Sequence, residues 1–321
     1  MTNAELAYLL GMVAGKGTIK RDSDTTTVLI EIPHKNLLVE GKDAQLSINA
    51  SLNEFRNIIQ PLIGVHVITS QQRSKTIIKF TKINEDLLIR EINRHFEEKN
   101  SWKEFRIPKD IFNSSSDIKR EFLIGLSDVT AHIGHGGEAF GKSYAHRVYV
   151  EIPVNWYLAT DICNLLRDLN VPVHNIDWGH PNMRDPNLVH YNKGNKMFWN
   201  KEHQIKVFAE LYEKIGFRII HKMQILRDLA QANKDEWDKD RRGKIEKTKS
   251  TNLRQRFHGQ LGGIEKEHNK FYWQVKSRIK ENRPKHPMEN CEILPPEIRG
   301  RHFNHWTEIA AILGYAEKKH G

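Results

Sequence analysis

Apolar residues recur along this chain with two different periods. Over 157–169, Leu158, Ile162, Leu165, Leu166 and Leu169 fall on one face of a predicted helix. Over 27–33 the period is two, so Val28, Ile30 and Ile32 share one side of a strand and Leu29, Glu31 and Pro33 the other. The same alternation sets Val148, Val150 and Ile152 against Tyr149 and Glu151 in a strand over 146–153. It sets Thr76, Ile78 and Phe80 inward in a strand over 75–81, with Lys75, Ile77, Lys79 and Thr81 outward. The remaining pattern predicts helices over 4–15, 43–60 (ended by Pro61), 84–97 and 117–127, and a strand over 65–69. It also predicts a hairpin with long loops over 171–200 and two helices within 202–230. Helices and paired strands recurring twice define the α+β class.

The helix over 4–15 contains Leu9-Leu10-Gly11-Met12-Val13-Ala14-Gly15-Lys16-Gly17-Thr18-Ile19. The helix over 117–127 leads into Leu123-Ile124-Gly125-Leu126-Ser127-Asp128-Val129-Thr130-Ala131-His132-Ile133. Gly11 and Gly125 lie 114 residues apart, and each segment precedes an apolar-alternating strand. Glycine leaves no side chain between two backbones, so a small face on each helix lets the pair approach closely. Two such helices predict two copies of one unit packed about a pseudo-twofold axis, through Gly11 and Gly125.

Both segments resemble the LAGLIDADG motif of homing endonucleases. The lead-in Phe105-Arg106-Ile107-Pro108-Lys109-Asp110-Ile111-Phe112, then Lys119-Arg120-Glu121-Phe122, is similar to the family's run into its second motif. Ile215-Gly216-Phe217-Arg218 with Lys222 resembles the end of the second repeat, and the resemblance spans roughly 4–230. It implies two pseudo-twofold-related αββαββα repeats, over 1–100 and 101–230, in a monomer with internal pseudo-dimer symmetry. It also implies open sheet faces that lie in the major groove of double-stranded DNA. With helices covering the apolar side of each sheet, those open faces would carry Lys20, Arg21, Arg73, Lys75, Lys79 and Arg147.

In the family the eighth motif residue is an acid that binds divalent metal at the scissile phosphates. Here those positions read Lys16 and Thr130, which are not hard anionic ligands. DNA binding then needs no cofactor, and Mg²⁺ enters only if cleavage is retained through relocated ligands. Glu31 and Glu151, at matching places on the open faces, and Asp128 are the acids available for that. Each carboxylate has other uses: accepting from a cytosine N4, pairing with a nearby Lys or Arg, or hydrogen-bonding a turn. His132 and His135, the latter in the loop Gly134-His135-Gly136-Gly137, are general-base candidates or solvated loop residues. His286, Cys291, His302 and His305 fit no standard zinc spacing.

The net charge of +10 and pI near 9.4 favour a polyanionic partner. With 38% hydrophobic residues the chain sustains a core, and no apolar run spans a membrane. The polar start has no secretion leader, and Cys163 and Cys291 form no paired framework; both point to a reducing cytoplasmic or organellar interior. A mixed-charge linker or solvated helix is expected over 231–256, and a small helical extension over 257–321. Three functions share this scaffold and charge: a sequence-specific DNA-binding protein, a site-specific endonuclease of restriction type, and an RNA-binding maturase.

Overall fold

The computed structural model describes residues 3–38, 43–97, 99–134, 146–178, 202–245, 294–299, 301 and 306–315. Helix α1 (Ala4–Lys16) begins where Asn3 Oδ1 accepts the Leu6 N–H at 2.8 Å, covering one of the donors a helix start leaves unpaired. It runs directly into β1 (Gly17–Arg21), which turns back as β2 (Thr25–Pro33). Helix α2 (Ala44–Ile63) is capped by Asp43 in the same way, followed by β3 (Ile68–Gln71), β4 (Lys75–Ile83) and α3 (Leu87–Phe96), capped by Asp86. Helix α2 does not stop at Pro61 as expected but closes one turn later at Gly64, whose φ of 68° suits glycine alone without strain. The first strand of the following hairpin accordingly starts three residues later than its apolar pattern predicts.

After the short α4 (Lys109–Phe112), the second repeat comprises α5 (Ser116–Thr130), β5 (Ala131–Gly134), β6 (Arg147–Pro153), α6 (Trp156–Asp168), β7 (Asn175–Asp177) and β8 (Glu202–Phe208). It ends in α7 (Ala209–Tyr212) and α8 (Ile220–Ile245); α9 (Trp306–Ile312) follows near the C-terminus. The chain is thus α+β with the order αββαββα twice. The stretch 202–208, expected as helix, is a strand. Its alternation decides this: His203, Ile205 and Val207 are buried while Glu202, Gln204 and Lys206 are only half-covered. The charged run after 231 continues α8 as far as Ile245. The loop at His135, most of the 171–200 hairpin, the cluster of His286, Cys291, His302 and His305, and most of the 257–321 extension lie outside the described residues.

Each repeat carries a four-stranded sheet, ordered β1-β2-β4-β3 in the first and β5-β6-β8-β7 in the second. Two compact units emerge, Met1–Gly134 with Val148–Val150 and Tyr212–Asp228, and His135–Arg147 with Glu151–Leu211 and Leu229–Gly321. In the first, the inward faces of β2 and β4 bury Val28, Ile30, Ile32, Ile78 and Phe80, and α2 and α3 contribute Phe55, Ile59, Ile89 and Ile92. In the second, Trp156 and Trp178 stack at 5.1 Å with His203 against both rings. Burial holds the His203 pKa down to about 3, so that ring is a neutral core residue.

Helices α1 and α5 both belong to the first unit, where they pack along their length. A Cβ on Gly11 would overlap the Phe122 carbonyl, and one on Gly125 would overlap the Tyr8 carbonyl. Moving each residue by 114 positions converts one contact into the other, so the approach is isologous, as a pseudo-twofold axis requires. Gly15 is held small by a side chain instead, since its Cβ would stand 2.7 Å from Thr130 Cγ2.

Candidate nucleic-acid interface

The ends of the two motif helices hold Lys16 and Thr130, both buried, at 5% and 0% exposure. The Thr130 hydroxyl donates to the Leu126 carbonyl at 2.7 Å, a bond internal to α5. The Lys16 ammonium sits 5.9 Å from the centre of the Trp102 ring, over its face. Trp102 is held there because its backbone N–H donates to the Gly17 carbonyl at 2.8 Å, and Thr18 bridges to Ser101 along the edge of β1. Sequence reasoning passed over Trp102, which has no periodic signal.

Asp128 is fully buried, two residues before the end of α5. Its Oδ2 accepts the Tyr8 hydroxyl at 2.8 Å and the Arg218 N–H at 3.2 Å, so it joins α1, α5 and the lead into α8. Lys222 Nζ donates to the carbonyls of Ser127, Asp128 and Ala131 at 3.1, 3.1 and 2.8 Å, which places a cation on the C-terminal end of α5. Burial pushes the Asp128 carboxyl up to about 6 against the pull of Lys222, and burial pushes Lys222 down to about 8 against the pull of Asp128. Ser127 and the Tyr212 hydroxyl are hydrogen-bonded beside them, and Arg218 lies 4.8 Å over the Tyr8 ring while pairing with Glu121 at 3.0 Å. This polar cluster is the structural cement of the motif helices. Lys222 entered the sequence reading only as a family landmark, and Tyr8 did not enter it at all.

The other acids are engaged elsewhere. Glu31 pairs with Lys75 at 2.5 Å on the open face of the first sheet. Glu151 lies on the same side of β6 as Tyr149 but is covered there: it is 3% exposed and accepts from Gln204 at 2.9 Å. Among the described residues no group of three His, Cys, Asp or Glu side chains is placed to hold a metal ion. The donors present at the motif ends, one ammonium and one spent hydroxyl, do not fit the divalent ions that the resemblance implies.

Two of the cations expected on open faces are placed differently. Arg21 and Lys20 are neighbours in one strand and cannot share a face. Lys20 is exposed, whereas Arg21 turns to the helix side, donating to Asn93 Oδ1, to the carbonyls of Lys99 and Glu97, and to Asn100. It therefore fastens the end of α3. Arg147 is 3% exposed with its guanidinium 5.2 Å from the Phe208 ring centre. Lys79 is exposed in mid-sheet, and Arg73 is exposed at the β3–β4 turn. The first sheet thus brings together Lys20, Lys75 and Lys79 with Arg73 at its edge, and excludes Arg21. On the second sheet Tyr149 stacks on His132 at 5.0 Å, and Lys206 pairs with Asp177.

No family model matches the chain, and no curated protein does. Among solved structures the chain is similar to I-DmoI in complex with DNA and Mn, at 14% identity over 68% of this chain and 96% of that one, TM-score 0.36. It is similar to the LAGLIDADG meganuclease I-AabMI bound to uncleaved DNA, at 10% identity over 73% and 93%, TM-score 0.37. A third is the LAGLIDADG homing endonuclease I-GzeII in complex with its DNA target, at 12% identity over 89% and 99%, TM-score 0.35. These are partial likenesses at such TM-scores, and the chemistry rests on the residues of this chain.

Proposed function

We propose that this chain is a sequence-specific double-stranded DNA-binding protein that does not cleave by way of its motif helices. The observation that carries the reading is the pair of helix ends, where Lys16 and Thr130 stand buried and engaged in place of two carboxylates. Exposed lysines on the first sheet supply phosphate attraction, and side chains between them face where base edges would lie. The outward groups of the second sheet are of another kind, with His132, Tyr149, Gln204 and Lys206, so the two half-sites differ in sequence.

Selection of bound duplexes from a random library tests this, once in EDTA and once with Mg²⁺ or Mn²⁺. One site should be enriched under both conditions, with intact strands. Metal-dependent cutting at the enriched site would return the chain to the endonucleases. In that case Glu31, Glu151 and Asp128 would be the acids left to supply the ligands, and alanine at Glu31 or Glu151 should abolish cutting while sparing binding, whereas Asp128 also holds the motif helices together.

A further inference from the structure

We infer that the open face of the first sheet reads thymine C5-methyl groups in the major groove, and that the half-site beneath it is thymine-rich duplex DNA. This rests on the DNA-binding reading above. Strand register fixes which side chains the face presents. Thr18, Leu29, Lys79 and Ile68 are aligned across β1, β2, β4 and β3. Lys20, Thr27 and Thr81 form the next outward row on one side, and Glu31, Ile77 and Ser70 the next on the other. Leu29 and Ile77 are half-exposed, while Ile68 and Ile83 are 51% and 58% exposed.

The outward positions of these four strands include no Arg, Asn or Gln, and lysine, with its single ammonium, is the one guanine-reading side chain among them. The absent three are the side chains whose paired donors and acceptors match guanine and adenine edges. Hydrogen-bonding capacity on this face is also partly spent. Thr27 and Thr81 bond each other through their hydroxyls at 2.8 Å, and Lys75 is tied to Glu31. What remains mid-face is branched hydrocarbon, Leu29, Ile77 and Ile68, arranged around the exposed Lys79, with the exposed Lys20 toward one side. In the major groove the thymine methyl is the apolar feature of a base pair. Hydrocarbon interleaved with two cations therefore matches a thymine-bearing groove and its phosphates. Duplex RNA offers neither an accessible major groove nor that methyl, because uracil lacks it.

The experiment takes the duplex that the full chain selects and remakes it with deoxyuridine at every thymine. Pairing and hydrogen-bonding edges stay the same and only the methyls go. Affinity should fall by about fourfold for each methyl the face covers. Because the change is in the DNA, folding of the protein is not in question. A Leu29→Ser, Ile77→Ser protein should distinguish the two duplexes less than the parent does. Equal affinity for the thymine and deoxyuridine duplexes overturns the inference and leaves DNA binding intact. A selected site lacking thymine, or tighter binding to the RNA duplex, overturns it as well. Failure to retain any duplex removes the DNA-binding reading itself.

Discussion

Gly11 and Gly125 show how one absent atom sets the distance between two helices. The obstacle that a Cβ would meet at each is a backbone carbonyl, which has no rotamer by which to withdraw. Alanine at either position should therefore cost at least the ~1–3 kcal/mol typical of an overpacked core, seen as a lower midpoint in urea. Melting unchanged from the parent would refute the close approach. Asp128 gives a second prediction, in pH. Its folded carboxyl is raised from 3.8 to about 6, so its contribution to stability is present below 3.8 and is lost as pH rises through 6. An Asp128→Asn protein lacks that loss. Unfolding free energies of the two proteins, measured from pH 4 to pH 7, should shift in favour of the variant as pH rises, and a constant difference would exclude the titration. The two glycines were legible from their repetition, but the hydroxyl partner of Asp128 was not. Tyr8 and Asp128 are 120 residues apart and share no pattern that a single sequence displays.

At the scale of elements, α5 ends against a lysine from another helix. Lys222 satisfies three carbonyls at once and is 2% exposed. Lys222→Met leaves those carbonyls and Asp128 without a compensating cation, which should cost about 3–5 kcal/mol, read by chemical denaturation at pH 7. A cost below about 1 kcal/mol would mean that water or another cation replaces it. The open face of the first sheet carries the next prediction. Lys79→Glu should weaken binding to specific and random duplexes alike and reduce the salt slope by about 0.9 for each phosphate no longer neutralised. Lys75→Glu should do less, since Glu31 already neutralises Lys75. Alternation made this face readable in advance: Val28, Ile30 and Ile32 are buried as their period requires. The strand over 202–208 is hidden in the pattern because its inward series begins with His203, a residue ordinarily counted as polar and here enclosed by two tryptophans. Arg21, expected beside Lys20 on the open face, lies on the opposite one because adjacent residues of a strand alternate.

For the whole molecule, the sequence displayed the duplication because Gly11, Gly125, Pro33 and Pro153 recur in order, and the αββαββα succession follows from it. It did not display how completely the ends of the two motif helices are enclosed, because burial at Lys16 and Thr130 arises from distant packing. That enclosure yields a prediction. Lys16→Asp with Thr130→Asp places two carboxylates in a space with little water, where their repulsion is relieved by a bound cation. The doubly substituted protein should melt lower than the parent in EDTA and gain several degrees with Mn²⁺, whereas the parent should not respond. An equal response in both would place the metal elsewhere. The bond between Tyr8 and Asp128 also makes the two halves unlike. Under the 114-residue shift, Tyr8 corresponds to Phe122 and Asp128 to Ala14, so the mirrored pair is hydrocarbon. Two copies of the second half would set a buried acid before a phenyl ring, and two copies of the first would set a hydroxyl before a methyl. Only unlike halves satisfy each other. The two parts of this chain are therefore complementary to each other and not to themselves, and severed, co-expressed halves should return as mixed pairs.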